Sequence, residues 1–423
     1  MTAFPDVLPI RVAFPRPVVA DVRAATRDAT AELLRVSALR PGSRVAVTAG
    51  SRGIAGIAEI TRAVVDAVRE AGQDPFIVPA MGSHGGGTAE GQRALIAHYG
   101  VTEDAMGCPI DDTMETVPLG RSAAGVETFM ARAAHAADGV IVLNRVKPHT
   151  DFHGIRESGI AKMTAIGLGK LAGARACHQQ VFGIGLGAAI TSSVEHLLET
   201  GKILGGIAIL ENAYHQTATI AAVPAAGLLE RERELLTEAR GLMGRLPLDE
   251  IDILVCDRMG KNISGQGLDT NIIGRSPFGY TQGIPWQPGM PVIHRIIVRD
   301  LTDETNGNAM GVGLVDFVPE RLVAKIDRAA TMLNSLTART PENAKIPFVT
   351  PDDATALRLA LDVIPLRDEG PRLVYVRDTL ELSSVYVSTA CLPHLAGRAD
   401  VSVLGRPRPL VFDAHGDLVS PFD

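Results

Sequence analysis

The run GVIVL, residues 139–143, is apolar at every position, and NRVKPHTDFHGIRESGIAKMTAIGLGKLAGARACH, residues 144–178, follows it directly. An apolar run without polar alternation is typical of a strand buried on both faces of a parallel sheet. Pro148 ends this strand, and the next residues supply imidazoles, a guanidinium, a carboxylate and an amine: His149, His153, Arg156, Glu157 and Lys162. In α/β proteins ligands bind beyond the carboxyl ends of such strands. We therefore predict the functional site in this segment.

Two similar units precede this strand. Residues 44–48 and 74–79 read as short buried strands, and each is followed by a glycine-containing loop and a stretch with helical periodicity. Thr88 is a suitable N-cap for the second helix, which we expect to run to Tyr99. Strand, loop and helix repeated at this interval predict βαβ units and a mostly parallel sheet.

A charged helix at residues 225–245 ends beside glycine and proline, and this indicates a domain boundary. We predict an N-terminal α/β domain over residues 1–247 and a C-terminal α/β domain over residues 248–399, which contains a long glycine-rich loop at 259–290. The tail, about residues 400–423, is expected to return to the first domain. The fold class is α/β, with two domains of mostly parallel sheets and the active site in the cleft between them.

Composition narrows the function classes. The chain has 423 residues, of which 46% are apolar and 21% charged, and its formal net charge of −7 is spread without a basic stripe. These values are typical of a soluble globular protein and disfavour a nucleic-acid partner. The four cysteines contain no C-x-x-C pair, as expected for reduced cytoplasmic thiols. The apolar stretch at residues 217–229 is too short for a membrane span. We predict a cytoplasmic protein without a membrane partner.

Glycine motifs give only a weak signal. Residues 183–188 satisfy G-x-G-x-x-A, but no clear strand precedes them, as the dinucleotide-binding fingerprint requires. A glycine cluster at a helix start is the more common explanation. The chain has no G-x-x-x-x-G-K-[ST] loop, no G-x-S-x-G elbow and no H-E-x-x-H helix.

Two strand ends carry candidate binding or catalytic residues. Ser51 and Arg52 lie between a strand end and a helix start, where backbone amides favour an anion and arginine adds a two-pronged clamp. His84 precedes three glycines, which permit close approach of a ligand, and a histidine there can act as acid or base. The alternatives are an exposed loop arginine and a capping or buried histidine.

The segment after residue 143 offers further chemistry. His84 and His149 from two strand ends could flank one small substrate, so that a proton leaves one face and returns to the other. His153, four residues after His149, could instead form a metal pair with it, which keeps a zinc or iron hydrolase open. Lys162 lies among Gly, Ala and Met, where desolvation would lower its pKa and make it a nucleophile.

Together these residues resemble the nickel-pincer lactate racemase family. In that family a lysine holds a pyridinium mononucleotide covalently, the nickel is bound by a ring carbon and two sulfurs, and a histidine sixteen residues after the lysine is the protein ligand. Lys162 and His178 have this interval. The Gly-x-His…Thr loop is matched by residues 82–88, and the Pro-His pair by residues 148–149.

The resemblance implies specific roles. His84 and His149 would be the catalytic acid and base, although the interval from His149 to the lysine is longer than usual and His153 could hold the second position. Ser51 and Arg52, with Lys162, would bind the cofactor, and Arg52 would also bind the substrate carboxylate near it.

The family's second domain binds the substrate carboxylate with a Tyr-Gln…Lys cluster. Residues 268–275 read LDTNIIGR and lack it. Lys261, Gln266 or Arg275 would take its place, so the expected substrate is a 2-hydroxy acid other than lactate.

The resemblance thus implies an isomerase, a racemase or epimerase of a 2-hydroxy acid that uses proton-coupled hydride transfer to a nickel-pincer nucleotide. Its partners would be this small-molecule substrate and the cofactor-biosynthesis proteins. One alternative is an NAD-dependent 2-hydroxy acid oxidoreductase, suggested by the parallel sheet and glycine clusters. Another is a non-catalytic binding protein for an acidic or phosphorylated metabolite, suggested by Arg52 and the helix starts.

Overall fold

The computed structural model describes residues 4–279 and 284–422. Its strands, in chain order, are β1 (Val7–Val12), β2 (Arg44–Ala49), β3 (Asp74–Pro79), β4 (Thr116–Arg121), β5 (Glu127–Ala131), β6 (Gly139–Arg145), β7 (Ile203–Glu211), β8 (Thr217–Pro224), β9 (Glu250–Met259), β10 (Val292–Leu301), β11 (Phe317–Pro319), β12 (Phe348–Thr350), β13 (Leu373–Val376), β14 (Ser384–Ser388) and β15 (Val401–Val403). The predicted loop at 259–290 includes residues 280–283, which lie outside the described residues.

The α-helices, in chain order, are α1 (Val22–Arg35), α2 (Ile57–Glu70), α3 (Ala89–His98), α4 (Glu103–Met106), α5 (Arg132–Ala136), α6 (Ile160–Lys162), α7 (Lys170–His178), α8 (Leu186–Leu198), α9 (Leu228–Leu242), α10 (Thr270–Ile273), α11 (Glu320–Ala324), α12 (Arg328–Ala338), α13 (Asp353–Leu361) and α14 (Leu392–Leu395). A π-helical turn, Met163–Gly167, follows α6 directly and precedes α7. In the part of the chain that the structure describes, no helix is both long and apolar enough to cross a membrane.

The chain divides into two compact units. One comprises residues 15–242, and the other combines the chain up to Phe14 with the chain from Met243 onward. The predicted first domain ran from residue 1 to residue 247. The structure instead assigns β1 to the second unit, because β1 pairs with β14 and β15.

The first unit is built on a sheet of order β3-β2-β6-β7-β8. The pairs β3-β2, β2-β6 and β6-β7 are parallel, and β8 is antiparallel to β7. Val140 and Val142 of β6 pack on one face with α8 and α9, whereas Ile141 and Leu143 pack on the other with α1 and α2. Helices cover both faces, which explains why β6 is apolar at consecutive positions.

The second unit contains a sheet of order β12-β11-β10-β9-β13-β14-β1-β15. Its strands are parallel from β12 to β13 and antiparallel from β13 to β15. The predicted α/β class with mostly parallel sheets is therefore confirmed.

The C-terminal tail packs in the second unit, which corrects the expectation that residues 400–423 return to the first domain. β15 adds to the edge of the second sheet, with Val403 opposite Ile10. Farther along, the backbone N–H of Leu418 donates to the carboxylate of Asp353 at 2.9 Å. Of the apolar residues of this tail, Leu418 is buried in the second unit, whereas Val403, Leu404, Val411 and Val419 are exposed.

Candidate active site

Three neighbouring parallel strands deliver the predicted site residues of the first unit. Arg52 follows β2, His84 follows β3 and His149 follows β6, and these strands are adjacent in the order β3-β2-β6. Because the carboxyl ends of parallel strands meet at one edge of a sheet, the three loops lie at the same edge.

The first two loops are joined by a side-chain contact. The Ser51 hydroxyl oxygen lies 2.5 Å from Nδ1 of His84, a hydrogen-bond distance. His84 itself is exposed to solvent. The imidazole is therefore held on one side and accessible to a ligand on the other.

The glycines after His84 allow its loop to turn tightly onto α3. Gly85 has a left-handed backbone (φ 65°), and a Cβ on Gly91 would lie only 1.9 Å from the Gly85 carbonyl oxygen. The predicted N-cap is confirmed, since Thr88 Oγ1 accepts from the backbone N–H of Gly91 at 3.1 Å. Close packing, as well as ligand access, thus accounts for the glycine run.

Hydrogen bonds close the loop that carries His149 at its base and also stabilise it internally. Reciprocal backbone hydrogen bonds of 3.0 and 3.2 Å join Lys147 and Ser158. Inside the loop, the buried carboxylate of Glu157 accepts from the backbone N–H of His149 at 2.5 Å and from Arg240 of α9 at 2.6 Å. Burial acts to raise the pKa of Glu157, but hydrogen bonds from His153, His149 and Arg240 lower it on balance. Glu157 is therefore the anionic centre of the loop.

His149 and His153 have different partners within this loop. Nδ1 of His153 lies 3.3 Å from the Glu157 carboxylate, whereas Nε2 of His149 is hydrogen-bonded to Nζ of Lys162. The structure thus places His149, of the two candidates for the second base, beside the predicted cofactor lysine.

The surroundings of His149 favour its neutral form. Its pKa lies well below the ordinary value, first because burial desolvates the ring and then because Lys162, Lys147, His178 and Arg52 add positive charge. These groups are close enough to act electrostatically on one imidazole. Three of the predicted site residues, Arg52, Lys162 and His178, are therefore grouped around His149.

The pKa of the Lys162 amine is also lowered. Burial lowers its pKa to about 8, Asp151 opposes this shift, and the cations Arg52 and Lys147 reinforce it. A substantial neutral fraction is then present near neutral pH, and a neutral amine is the nucleophilic form. This agrees with the nucleophile predicted from the surrounding small residues.

A buried carboxyl group fixes the backbone that carries Lys162. Glu232 of α9 is fully buried and accepts from the backbone N–H of Ala161 at 2.8 Å. A Cβ at Gly159 would lie 2.6 Å from this carboxyl group, so the position requires glycine. Burial raises the pKa of Glu232 to about 7, while hydrogen bonds from Ala161 and Ile160 oppose the rise. Glu232 could not be predicted from the sequence pattern, because it lies on a charged helix far along the chain.

Arg52 keeps its predicted character. The residue is exposed by area, yet surrounding protein atoms displace water and lower its pKa from the ordinary value, an effect opposed by Tyr99 and Asp151. Since arginine starts from a very high pKa, it remains a cation at neutral pH. It is available to bind a carboxylate.

The residues predicted to bind the substrate in the second unit lie in different surroundings. Arg275 is 2% exposed, and its guanidinium donates to Asp316 at 2.6 Å and to the Leu314 carbonyl at 2.7 Å. It is a buried structural cation, so its prediction as a substrate ligand was wrong. Lys261 donates to the Gly265 carbonyl at 2.7 Å, and its role towards a substrate stays a prediction. Gln266 is buried and accepts from Asn343 at 2.7 Å.

Two rival sites gain no support. Within residues 4–279 and 284–422, no three His, Cys, Asp or Glu side chains are grouped to hold a metal ion, so the pair His149 and His153 has no third protein ligand there. The glycine motif at 183–188 follows α7 rather than a strand. It therefore lacks the context of a dinucleotide-binding turn.

Comparisons with known proteins concern the N-terminal part of the sequence and the fold. The family model described as "Lactate racemase N-terminal domain" matches residues 28–185. The lactate racemase apoprotein of Thermoanaerobacterium thermosaccharolyticum has a similar fold, with TM-score 0.51 and 13% identity over 88% of this chain and 99% of that one. A structural-genomics protein from Thermotoga maritima aligns with TM-score 0.49 and 13% identity over 85% and 97% of the two chains. No protein of curated function matches by sequence.

Proposed function

We propose that this chain, whose residues 28–185 match the model of the lactate racemase N-terminal domain, is an isomerase that racemises or epimerises a 2-hydroxy acid. The observation that carries the proposal is the meeting of two imidazole-bearing loops and one arginine at a single sheet edge. His84 and His149 come from strands on either side of the strand that precedes Arg52. This arrangement supplies two proton carriers and one carboxylate clamp.

Arg52 orients the substrate. Its planar guanidinium can bind a carboxylate through two parallel hydrogen bonds. A carboxylate held at one end leaves the carbon that bears the hydroxyl group free to change configuration, because the bound group does not have to move. Positioning of this kind removes much of the entropic barrier to reaction.

The two histidines move the hydroxyl proton. His149 is kept neutral by burial and by nearby cations, so it can accept the proton as hydride leaves the adjacent carbon. The 2-keto acid formed is planar, and hydride can return to either face. His84, held by Ser51, would serve the opposite face.

The residues present fit the nickel-pincer nucleotide of the family by the chemistry of their donors. Lys162 offers an amine of lowered pKa for covalent attachment, and His178 offers a single imidazole to nickel. When bound, this group would supply a reversible hydride acceptor. Arg52 and Lys147 add positive charge that suits the anionic nucleotide.

In this proposal the protein is cytoplasmic and receives its cofactor from cofactor-biosynthesis proteins. The test is co-expression with those proteins, followed by nickel analysis, intact mass and chiral chromatography over a panel of 2-hydroxy acids. We expect about one nickel per chain and interconversion that is lost in His84→Ala and His149→Ala. Protein that gains no nickel and no added mass under these conditions would overturn it.

The two alternatives give different signals. An NAD-dependent oxidoreductase would change nicotinamide absorbance in the presence of a 2-hydroxy acid. A binding protein would show ligand-induced thermal stabilisation that survives His84→Ala and His149→Ala, without turnover.

A further inference from the structure

Lys170 combines two costly features in one residue. Its backbone is left-handed (φ 51°), although it is not a glycine, and its side chain is fully buried. Left-handed backbone in such a residue costs conformational free energy, and burial of an amine adds to that cost. Burial also lowers the pKa of Lys170 to about 8, an effect opposed by Asp112 and Asp111. A residue with both of these unfavourable features is expected to make a specific contact that compensates for them.

That contact is with a second buried polar side chain. Nζ of Lys170 donates to Oε1 of Gln92, a fully buried residue of α3, at 3.1 Å. Because Oε1 accepts from the amine, the NH2 group of Gln92 must point the other way. It donates to the carbonyl oxygens of Gly82 at 3.0 Å and His84 at 3.3 Å. Lys170 therefore fixes the orientation of the amide that anchors the His84 backbone.

The anchored loop needs such a contact. The loop contains glycines at positions 82, 85, 86 and 87, and all four adopt left-handed backbone conformations. Because glycine can also adopt many other backbone conformations, local preference alone does not hold the loop in this one. The loop also lies directly on the segment that contains Lys170. The N–H of Gly82 donates to the Gly167 carbonyl at 3.4 Å, and a Cβ on Gly82 would lie 3.1 Å from the Ile166 side chain.

We propose that Lys170 and Gln92 form a brace that fixes the position of His84 relative to the segment bearing Lys162 and His178. Lys170 lies between those two residues in sequence, so the brace connects the proposed base with the proposed cofactor segment. Both members are positioning residues, since they act through the His84 backbone. Their catalytic meaning rests on the proposed function, whereas the brace itself is a property of the apoprotein.

The decisive test uses the apoprotein and side-chain ¹⁵N NMR of His84. In Lys170→Met the amide of Gln92 loses the amine that orients it, and in Gln92→Glu the two backbone carbonyls lose their donor. We expect both variants to move the His84 signals towards those of Ser51→Ala, which removes the hydrogen bond to the ring directly. Lys202→Met removes a lysine that donates to the Ala137 carbonyl elsewhere in the same unit, and it should leave the His84 signals unchanged.

Spectra of Lys170→Met and Gln92→Glu that superimpose on the wild type, while Ser51→Ala differs, would overturn the brace. If either variant fails to fold, hydrogen exchange of the Gln92 side-chain amide in the wild type decides. Exchange at least tenfold slower than that of an exposed glutamine supports the brace, and exchange at the exposed rate overturns it.

The cofactor-loaded protein separates this inference from the proposed function. There Lys170→Met should lower kcat about tenfold with little change in KM, because the base is displaced while the carboxylate clamp remains. An equal fall in Lys202→Met, or unchanged kcat in a Lys170→Met protein whose apoprotein signals had moved, would remove the catalytic meaning of the brace. If no loaded protein shows racemisation, the proposed function fails and the apoprotein spectra still decide on the brace.

Discussion

Nε2 of His149 and Nζ of Lys162 are hydrogen-bonded to each other, although both groups are potential cations. Two charged groups in such contact would repel, and burial makes each charge more costly. Burial is the main cause that lowers the pKa of each group, that of Lys162 to about 8, and the charge of Lys162 lowers the pKa of His149 further. The contact therefore favours a neutral imidazole beside an amine that readily loses its proton.

Lys162 should be unusually reactive near neutral pH. An amine with a pKa of about 8 is largely neutral above that pH, whereas an ordinary lysine, with a pKa of about 10.4, is almost entirely protonated there. We expect labelling of Lys162 by acetic anhydride, followed by peptide mass spectrometry across pH 6 to 11, to rise with a midpoint near pH 8. The exposed Lys345 in the same digest is the reference. A Lys162 midpoint near 10.4 would contradict this electrostatic description.

Glu232 should make the protein less stable as pH rises. Burial raises its pKa from 4.5 to about 7, so the folded state holds a proton that the unfolded state has released. The stabilising contribution is complete below pH 4.5 and is lost as pH approaches 7. It amounts to roughly 3 kcal/mol of unfolding free energy.

Urea unfolding at a series of pH values measures this slope. Glu232→Gln cannot ionise and should flatten the curve between pH 5 and 7, whereas Glu234→Gln, an exposed change on the same helix, should leave the slope intact. Equal slopes in the wild type and Glu232→Gln would show that another group is responsible.

Glu157→Gln should loosen the His149 loop. The amide keeps one acceptor oxygen, but it loses the charge that serves the backbone N–H of His149 and the guanidinium of Arg240. We expect a loss of about 2 kcal/mol in unfolding free energy and faster hydrogen exchange in residues 149–157. The control is Glu199→Gln, an exposed residue beside His196, for which a change below about 0.5 kcal/mol is expected. An effect no larger than that of the control would argue against Glu157 as the centre of the loop.

Arg275→Met should cost stability without changing which 2-hydroxy acid is accepted. Removing the guanidinium takes the charged partner from the Asp316 carboxylate, which keeps the backbone N–H of Ile296, and a donor from the Leu314 carbonyl, and a loss of about 3 kcal/mol follows. Thermal unfolding and a substrate panel on loaded protein measure the two effects. Altered substrate preference in a stable Arg275→Met protein would restore Arg275 as a binding residue.

The sequence predicted the parts of the fold that short-range patterns determine. β3 has the bounds expected of it, and β2 and β6 extend only slightly beyond theirs, because strands covered by helices on both faces are apolar without alternation. The hairpin of β4 and β5 was missed. β4 is largely solvent-facing, and its mixed composition shows no clear period.

Site residues that depend on distant partners were beyond the sequence. Glu232 reaches the helix of Lys162 from α9, and Gln92 meets Lys170 across 78 positions. Arg275 was expected at a substrate because residues 268–275 lack the family's Tyr-Gln…Lys cluster and this arginine could replace it. Its carboxylate partner lies 41 positions away. Such pairs leave no local spacing, whereas the short segment from His149 to His178 does.

The most direct test of racemisation by hydride transfer uses a 2-hydroxy acid that carries deuterium on the carbon bearing the hydroxyl group. Cofactor-loaded protein is incubated with one enantiomer in ordinary water. The products are separated by chiral chromatography, and the deuterium content of each enantiomer is measured by mass spectrometry. We expect the opposite enantiomer to appear with its deuterium retained, and we expect His84→Ala and His149→Ala to abolish its formation. No interconversion by nickel-loaded protein across the panel, or interconversion that survives loss of both histidines, would contradict this expectation.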